Sequence, residues 1–135
     1  MTTTHLNITP LADHGDSRGS SFNLPDSVFR FIGQIDHAHL TTLLPNSIRG
    51  NHYHVRRKEF LVILYTDSWT FAWSESGKES IETQRFDGQG AVLIEIAPAI
   101  PHAVRNDGAT ALTILAFSDQ KYEPAQVDTI RKILI

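Results

Sequence analysis

The sequence predicts an all-β fold, a small sandwich or barrel. Three observations lead there: many short runs rich in β-branched and aromatic residues, turn residues between most of them, and one helical pattern, near the end. Turn chemistry stands at Asp16-Ser17-Arg18-Gly19, Pro45-Asn46-Ser47, Glu75-Ser76-Gly77-Lys78, Asp87-Gly88 and Asn106-Asp107-Gly108. Strands are expected at Phe29–Ile35, His37–Leu43, Gly50–Val55, Glu59–Tyr65, Trp69–Trp73, Ser80–Phe86, Ala91–Ile96, Ala103–Arg105 and Ala111–Phe117. Trp69, Phe71 and Trp73 fall on one strand face and are expected in the core or at an interface. Pro124 can open a short C-terminal helix in which Val127, Ile130, Ile133 and Leu134 share a face. That helix is expected to cap the barrel or to pack on a partner.

At 135 residues the chain is expected to form a single domain, residues 1–135, with enough length to bury a core. An apolar fraction of 41% and a charged fraction of 20% fit a soluble globular protein. A formal net charge of −3 argues against nucleic-acid binding, which needs a basic face. There is no cysteine, so disulfides and thiolate metal sites are excluded and nitrogen and oxygen ligands remain. The first residues lack a basic segment followed by an apolar one, and no apolar run approaches the ~20 residues that cross a bilayer. The expectation is a cytoplasmic protein with a small-molecule substrate and no membrane partner.

The chemistry concentrates in His52, His54 and Glu59, joined about forty residues later by His102. Two residues apart on a strand, His52 and His54 point to the same face with Cα atoms roughly 6–7 Å apart, so two nitrogens can converge on one ion. Val55-Arg56-Arg57-Lys58 is polar and suits a turn, and a hairpin there would return Glu59 beside the histidines. His102 must arrive from a distant strand, which a barrel can arrange. Three imidazoles and a carboxylate suit zinc, iron(II), manganese or nickel, one divalent ion per chain, with open positions left on an octahedral ion.

These residues resemble the cupin superfamily, small jelly-roll barrels (double-stranded β-helices) with a metal or substrate site in the mouth. The first cupin motif ends in His-x-His, three or four residues, then Glu, as in His52-Tyr53-His54 and Glu59. The second runs from Gly through Pro and Gly to His-x-x-x-Asn, matched by Gly90, Pro98, His102 and Asn106. Thr66 or Asp67 stands where the first motif closes with Gly, and Ala99 where the second has Gly. A turn there that needs positive φ is penalised without Gly.

Ile48-Arg49-Gly50-Asn51-His52-Tyr53-His54 resembles the C-terminal cupin domain of a capsular polysaccharide epimerase/reductase, in which the motif binds zinc. Asp16-Ser17-Arg18-Gly19, the Arg-Gly-x-His-x-His segment and Asp128-Thr129-Ile130-Arg131 resemble the dTDP-4-keto-6-deoxyglucose 3,4-ketoisomerases. Those generally work without metal and lack a Glu at the position of Glu59, so the resemblance implies a metal-competent relative. Cupins frequently associate through sheet faces, and a homodimer is expected.

Three further features are candidates. Asp36-His37-Ala38-His39 places His37 and His39 on one strand face. An interior face would make His39 a general base or a donor behind the ligands, as a pocket-facing tyrosine near this point in the ketoisomerases hints; the alternative is an exposed edge. Arg49 can grip a carboxylate or phosphate with its fork. Arg56-Arg57-Lys58 reads as a solvated hairpin tip, with a grip on a diphosphate as the alternative. The resemblance implies an isomerase or epimerase acting on a keto-sugar or similar oxygenated metabolite by Lewis-acid catalysis, with His39 as base and Arg49 as anion anchor. An iron-dependent dioxygenase and a non-catalytic sugar- or metabolite-binding module remain the alternatives.

Overall fold

The computed structural model describes residues 5–75 and 79–135. Among them the elements run β1 Leu6–Pro10, α1 Asp26–Ile32, β2 His37–Leu43, β3 Ile48–His54, β4 Glu59–Tyr65, β5 Trp69–Trp73, β6 Glu82–Phe86, β7 Gly90–Ile96, β8 His102–Asn106, β9 Leu112–Ser118 and β10 Thr129–Arg131. Two five-stranded antiparallel sheets result, ordered β1-β7-β4-β9-β2 and β10-β3-β8-β5-β6. From β2 to β5, and again from β7 to β10, each strand lies in the sheet opposite to the one before it. This is the double winding of a jelly roll.

Period-2 alternation fills the space between the sheets. Leu61 and Ile63 of β4, Val92 and Ile94 of β7 and Ile114 of β9 meet Trp69, Phe71 and Val104 from the other sheet. Trp69 stacks on Phe86 with ring centroids 4.4 Å apart, and Phe71 is fully buried. The outer face of β4 and β7 is covered as well, because α1 lays Val28 and Ile32 on Phe60 and Leu93. Covering on both faces is why Phe60–Ile63 and Ala91–Ile94 read as unbroken apolar runs.

Two expected elements differ. Phe29–Ile35 was expected as a strand, yet the chain forms α1 over Asp26–Ile32, entered at Pro25 with Asp26 in the first turn and closed by Gly33 at φ 73°. Val28 and Ile32 sit four apart, the helical spacing that buries both on the sheet. The C-terminal helix after Pro124 is absent: β10 pairs with β3 instead, while Val127 and Ile133 stay exposed. A short helix is marginal by itself, and the free edge of β3 offers a ready ladder. Strand β1, which the apolar pattern did not reveal, is an edge strand ending in Pro10. The turn expected at Glu75-Ser76-Gly77-Lys78 lies, beyond Glu75, outside the described residues. Among the described residues no helix is long and apolar enough to cross a membrane.

Ala99, where the cupin pattern has Gly, adopts φ 68°, and its N–H donates to the His54 carbonyl at 2.6 Å. A left-handed L-residue costs roughly 1–2 kcal/mol, partly offset by the extra freedom glycine has when unfolded. Ala99→Gly is therefore expected to stabilise the protein by about 0.5–1 kcal/mol, measured as a raised urea midpoint. An unchanged or lowered midpoint would contradict the strain argument.

Candidate functional site

Strand pairing brings His52, His54, Glu59 and His102 together. On β3, His52 and His54 follow alternation onto one face, and His102, first residue of β8, lies directly across from His52. The expected hairpin between β3 and β4 is not formed. These strands lie in opposite sheets, so Val55–Lys58 crosses from one sheet to the other and Glu59 meets the histidines from the facing wall. The outcome for the cluster is the same, because the crossing is short.

One nitrogen or oxygen atom from each of the four groups lies within 4.8 Å of the other three. Glu59 Oε1 is 2.9 Å from His102 Nε2 and 3.4 Å from His54 Nε2. Ligands about 2.1 Å from one ion sit about 3–3.4 Å apart when adjacent, so these separations fit a coordination shell. The rings are held from behind. His102 Nδ1–H donates to the Ile100 carbonyl at 2.9 Å, which leaves Nε2 facing inward. His54 Nδ1 shares a hydrogen bond with Thr129 Oγ1 at 3.2 Å, with Asp128 Oδ2 3.9 Å away. Such outer partners fix tautomer and orientation in metal sites. The cluster could hold a metal ion.

The electrostatics agree. Burial alone would push the Glu59 carboxyl up, but hydrogen bonds from His102 and His54 and their charge hold it below the ordinary range. Burial opposes a charge on His102 too, yet the Glu59 carboxylate and the Ile100 carbonyl raise its pKa above the usual value. A cation bound between this pair would displace any proton they share. His52 is lowered to about 4 by burial and by its two neighbouring imidazoles, so it is neutral with a free lone pair.

The cluster forms part of the wall of a chamber of about 700 Å³. His37, His39 and Thr41 of β2 line it, as do Arg49, Arg57 and Tyr122, with Leu61, Val104, Ile114 and Ala116 as apolar surface. His37 and His39 thus both border the chamber, as does Arg49, but β2 is the edge strand of its sheet and His39 and Arg49 are exposed. Burial and the nearby His37 lower the pKa of His39.

Arg56-Arg57-Lys58 is not a solvated hairpin tip as expected. The Arg57 side chain is largely buried, its Nε 3.9 Å from Asp128 Oδ2. The Arg56 N–H donates to Asp128 Oδ1, and Lys58 Nζ donates to the Phe31 carbonyl. Asn106 is a turn organiser: its Nδ2 donates to the Leu43 and Thr110 carbonyls, and its Oδ1 accepts from the Gly108 N–H. Tyr122, Thr129 and Asp128 escaped sequence reasoning as site residues. Tyr122 and Asp128 lie on the turn-rich connection after β9, and Thr129 opens the three-residue β10, too short for periodicity to report side-chain direction.

Two antiparallel sheets closing on a His-x-His, Glu and His cluster give a cupin-like β fold. Within that class, the chain belongs to the polysaccharide biosynthesis C-terminal domain family, whose model matches residues 14–130. No curated protein sequence matches it. Among solved structures, it is similar to the 3,4-ketoisomerase QdtA from Thermoanaerobacterium thermosaccharolyticum, a double mutant in complex with TDP, at 18% identity and TM-score 0.69, covering 94% of this chain and 87% of that one. The 3'-monoepimerase ChmJ from Streptomyces bikiniensis, in complex with dTDP-quinovose, gives 15% identity and TM-score 0.72, covering 89% and 66%. The capsular polysaccharide assembling protein CapF from Staphylococcus aureus gives 18% and 0.66, covering 93% of this chain but 33% of CapF. At these identities the likeness establishes the fold.

The opposed shifts of His102 and His52 give a pH signature in protein stripped of divalent ions. The raised His102 contributes stability that is full below its ordinary value and lost as pH rises through the folded one. The lowered His52 does the reverse, its contribution full above about 6.5 and lost as pH falls toward 4. Thermal midpoints of parent and His52→Gln are expected to converge over that acidic interval, with the parent losing more on descent. Parallel curves would show that His52 is not buried neutral.

Proposed function

We propose that this chain is a metal-dependent isomerase or epimerase acting on a keto-sugar carried on a nucleotide. The observation that carries the reading is one chamber holding a four-ligand cluster, a neutral imidazole and a guanidinium. QdtA bound to TDP and ChmJ bound to dTDP-quinovose support the substrate class. The volume also falls within the roughly 300–1,000 Å³ usual for small-molecule sites.

His52, His54, Glu59 and His102 hold one divalent ion: zinc, iron, manganese or nickel. When bound, the ion supplies Lewis acidity toward a carbonyl oxygen. His39, its pKa lowered by burial and by His37, is neutral at physiological pH. Its free ring nitrogen takes the proton from the carbon beside the carbonyl. In isomerisation it returns that proton to the former carbonyl carbon while the hydroxyl proton passes to the former carbonyl oxygen. In epimerisation water protonates the opposite face while His39 releases its proton to solvent. Arg49 grips a phosphate or carboxylate with two parallel N–H donors and so orients the sugar. Leu61, Val104, Ile114 and Ala116 keep competing water from much of the surface.

The same reading has the chain working as a homodimer. Leu40, Leu115 and Val62 form one cross-strand row on the outer face of their sheet, with Leu40 67% exposed. Sedimentation equilibrium is expected to give twice the chain mass, and Leu40→Glu to shift it toward one chain; a parent of single-chain mass would exclude this.

The catalytic reading is tested by elemental analysis with a screen of keto-sugar nucleotides in deuterated water. One equivalent of metal is expected in the parent and its loss in Glu59→Gln and His102→Ala. The parent should incorporate solvent deuterium into product without needing dioxygen. His39→Gln should keep the metal and lose about 10²–10⁴ in rate. Equal metal in all variants would remove the ligand assignment, and turnover that depends on dioxygen would replace the isomerase with an oxygenase.

A further inference from the structure

We propose that Asn51 is a positioning residue for this site: it locks a bulge in β3 that aims His52 into the chamber, using residues 132–135 as a strap. The inference rests on reading the cluster as a metal centre, and its starting point is a register shift. Gly50 pairs with Ala103, but His52, two residues on, pairs with His102, only one residue back. Asn51 is the extra residue, in the left-handed region at φ 54°. Residues directly opposite in a ladder share a face. Arg49 pairs with Val104, and His52 with His102, and both partners face the chamber. Arg49 and His52 are three positions apart, so on a regular strand they would point to opposite faces. The bulge alone lets the guanidinium and the two imidazoles occupy one space.

Asn51 fixes that bulge with both ends of its amide and its own backbone. Its Oδ1 accepts from the N–H groups of Leu134 at 2.9 Å and Ile135 at 3.3 Å, and its Nδ2 donates to the Ile135 carbonyl at 3.0 Å. Its carbonyl accepts from the Lys132 N–H at 2.8 Å. Leu134, buried, anchors the strap. Ahead of it, β10 places Arg131 opposite His52 and Thr129 opposite His54. Gly50 completes the device at φ 93°, where a Cβ would meet the His102 carbonyl oxygen at 2.7 Å. Asparagine suits the central position because it tolerates left-handed backbone and offers a donor and an acceptor. Nothing in the catalytic proposal requires Asn51 to touch substrate.

The test compares the parent with Asn51→Asp, Asn51→Gly and Asn51→Ala, with two readouts. In protein stripped of divalent ions, acylation of each histidine by diethyl pyrocarbonate is followed by peptide mass spectrometry. Cobalt(II) is then titrated and followed by its visible absorption. In Asn51→Ala, His52 is expected to acylate several-fold faster while His37 is unchanged, and cobalt affinity to fall about 10- to 100-fold, as for loss of a group that orients a ligand. Asn51→Asp, which keeps the acceptor but loses the donor to the Ile135 carbonyl, should fall between the parent and Asn51→Ala. Equal His52 acylation in parent and Asn51→Ala overturns the proposal. If Asn51→Ala does not fold, Asn51→Gly keeps the left-handed backbone without the side-chain bonds and carries the same comparison. A parent that binds no cobalt would overturn the metal reading, while the acylation rates still decide the role of Asn51.

Discussion

A carboxylate with 5% of its surface exposed, placed where two sheets close on each other, governs this molecule. Leaving the charge of Glu59 unpaired inside a protein would cost several kcal/mol. It is tolerated because His102 approaches from the start of β8 and His54 from the end of β3, both in the facing sheet. Neither imidazole is free to wander, since the Ile100 carbonyl and Thr129 hold their far sides. The charge therefore ties both walls of the barrel at one point. A cation held there would satisfy the same constraint and would also engage His52, whose pKa burial lowers.

What the sequence disclosed follows from which physics is local. Alternation along a strand is local, so His52 with His54, and His37 with His39, could be assigned to common faces without coordinates. His102, on a distant strand, joined the candidate cluster through the resemblance to the cupin motifs and not through local alternation. Which sheet a strand joins is not local: the four residues after His54, three of them basic, suit a hairpin as well as a crossing between sheets, and the structure uses the crossing. Arg57 was misread with that turn, because its burial depends on Asp128, seventy-one residues later in the chain. Helix α1 and the absent C-terminal helix show the same limit. Phe29-Arg30-Phe31-Ile32 has strand composition, and only the waiting apolar surface of Phe60 and Leu93 selects the helix. At the other end, residues with a helical stripe found an unpaired edge on β3 and used it.

The placement of chemistry on this scaffold divides by rigidity. All four candidate ligands, together with His39 and Arg49, sit on strands whose backbone is committed to ladders. Tyr122, 67% exposed and stacked on His37 with ring centroids 6.1 Å apart, belongs instead to the connection between β9 and β10. That connection also borders a second, polar cavity of about 610 Å³, which shares Arg57, Tyr122 and Thr129 with the chamber. Reacting groups need sub-ångström placement, which strands supply, whereas selectivity among ligands can be set by connections that change more freely. Asp128 joins the two regimes: its side chain receives the Arg56 N–H and faces Arg57, while its carbonyl accepts from the Val55 N–H. A change in the connection is therefore felt at the end of β3, behind His54, before it reaches any substrate.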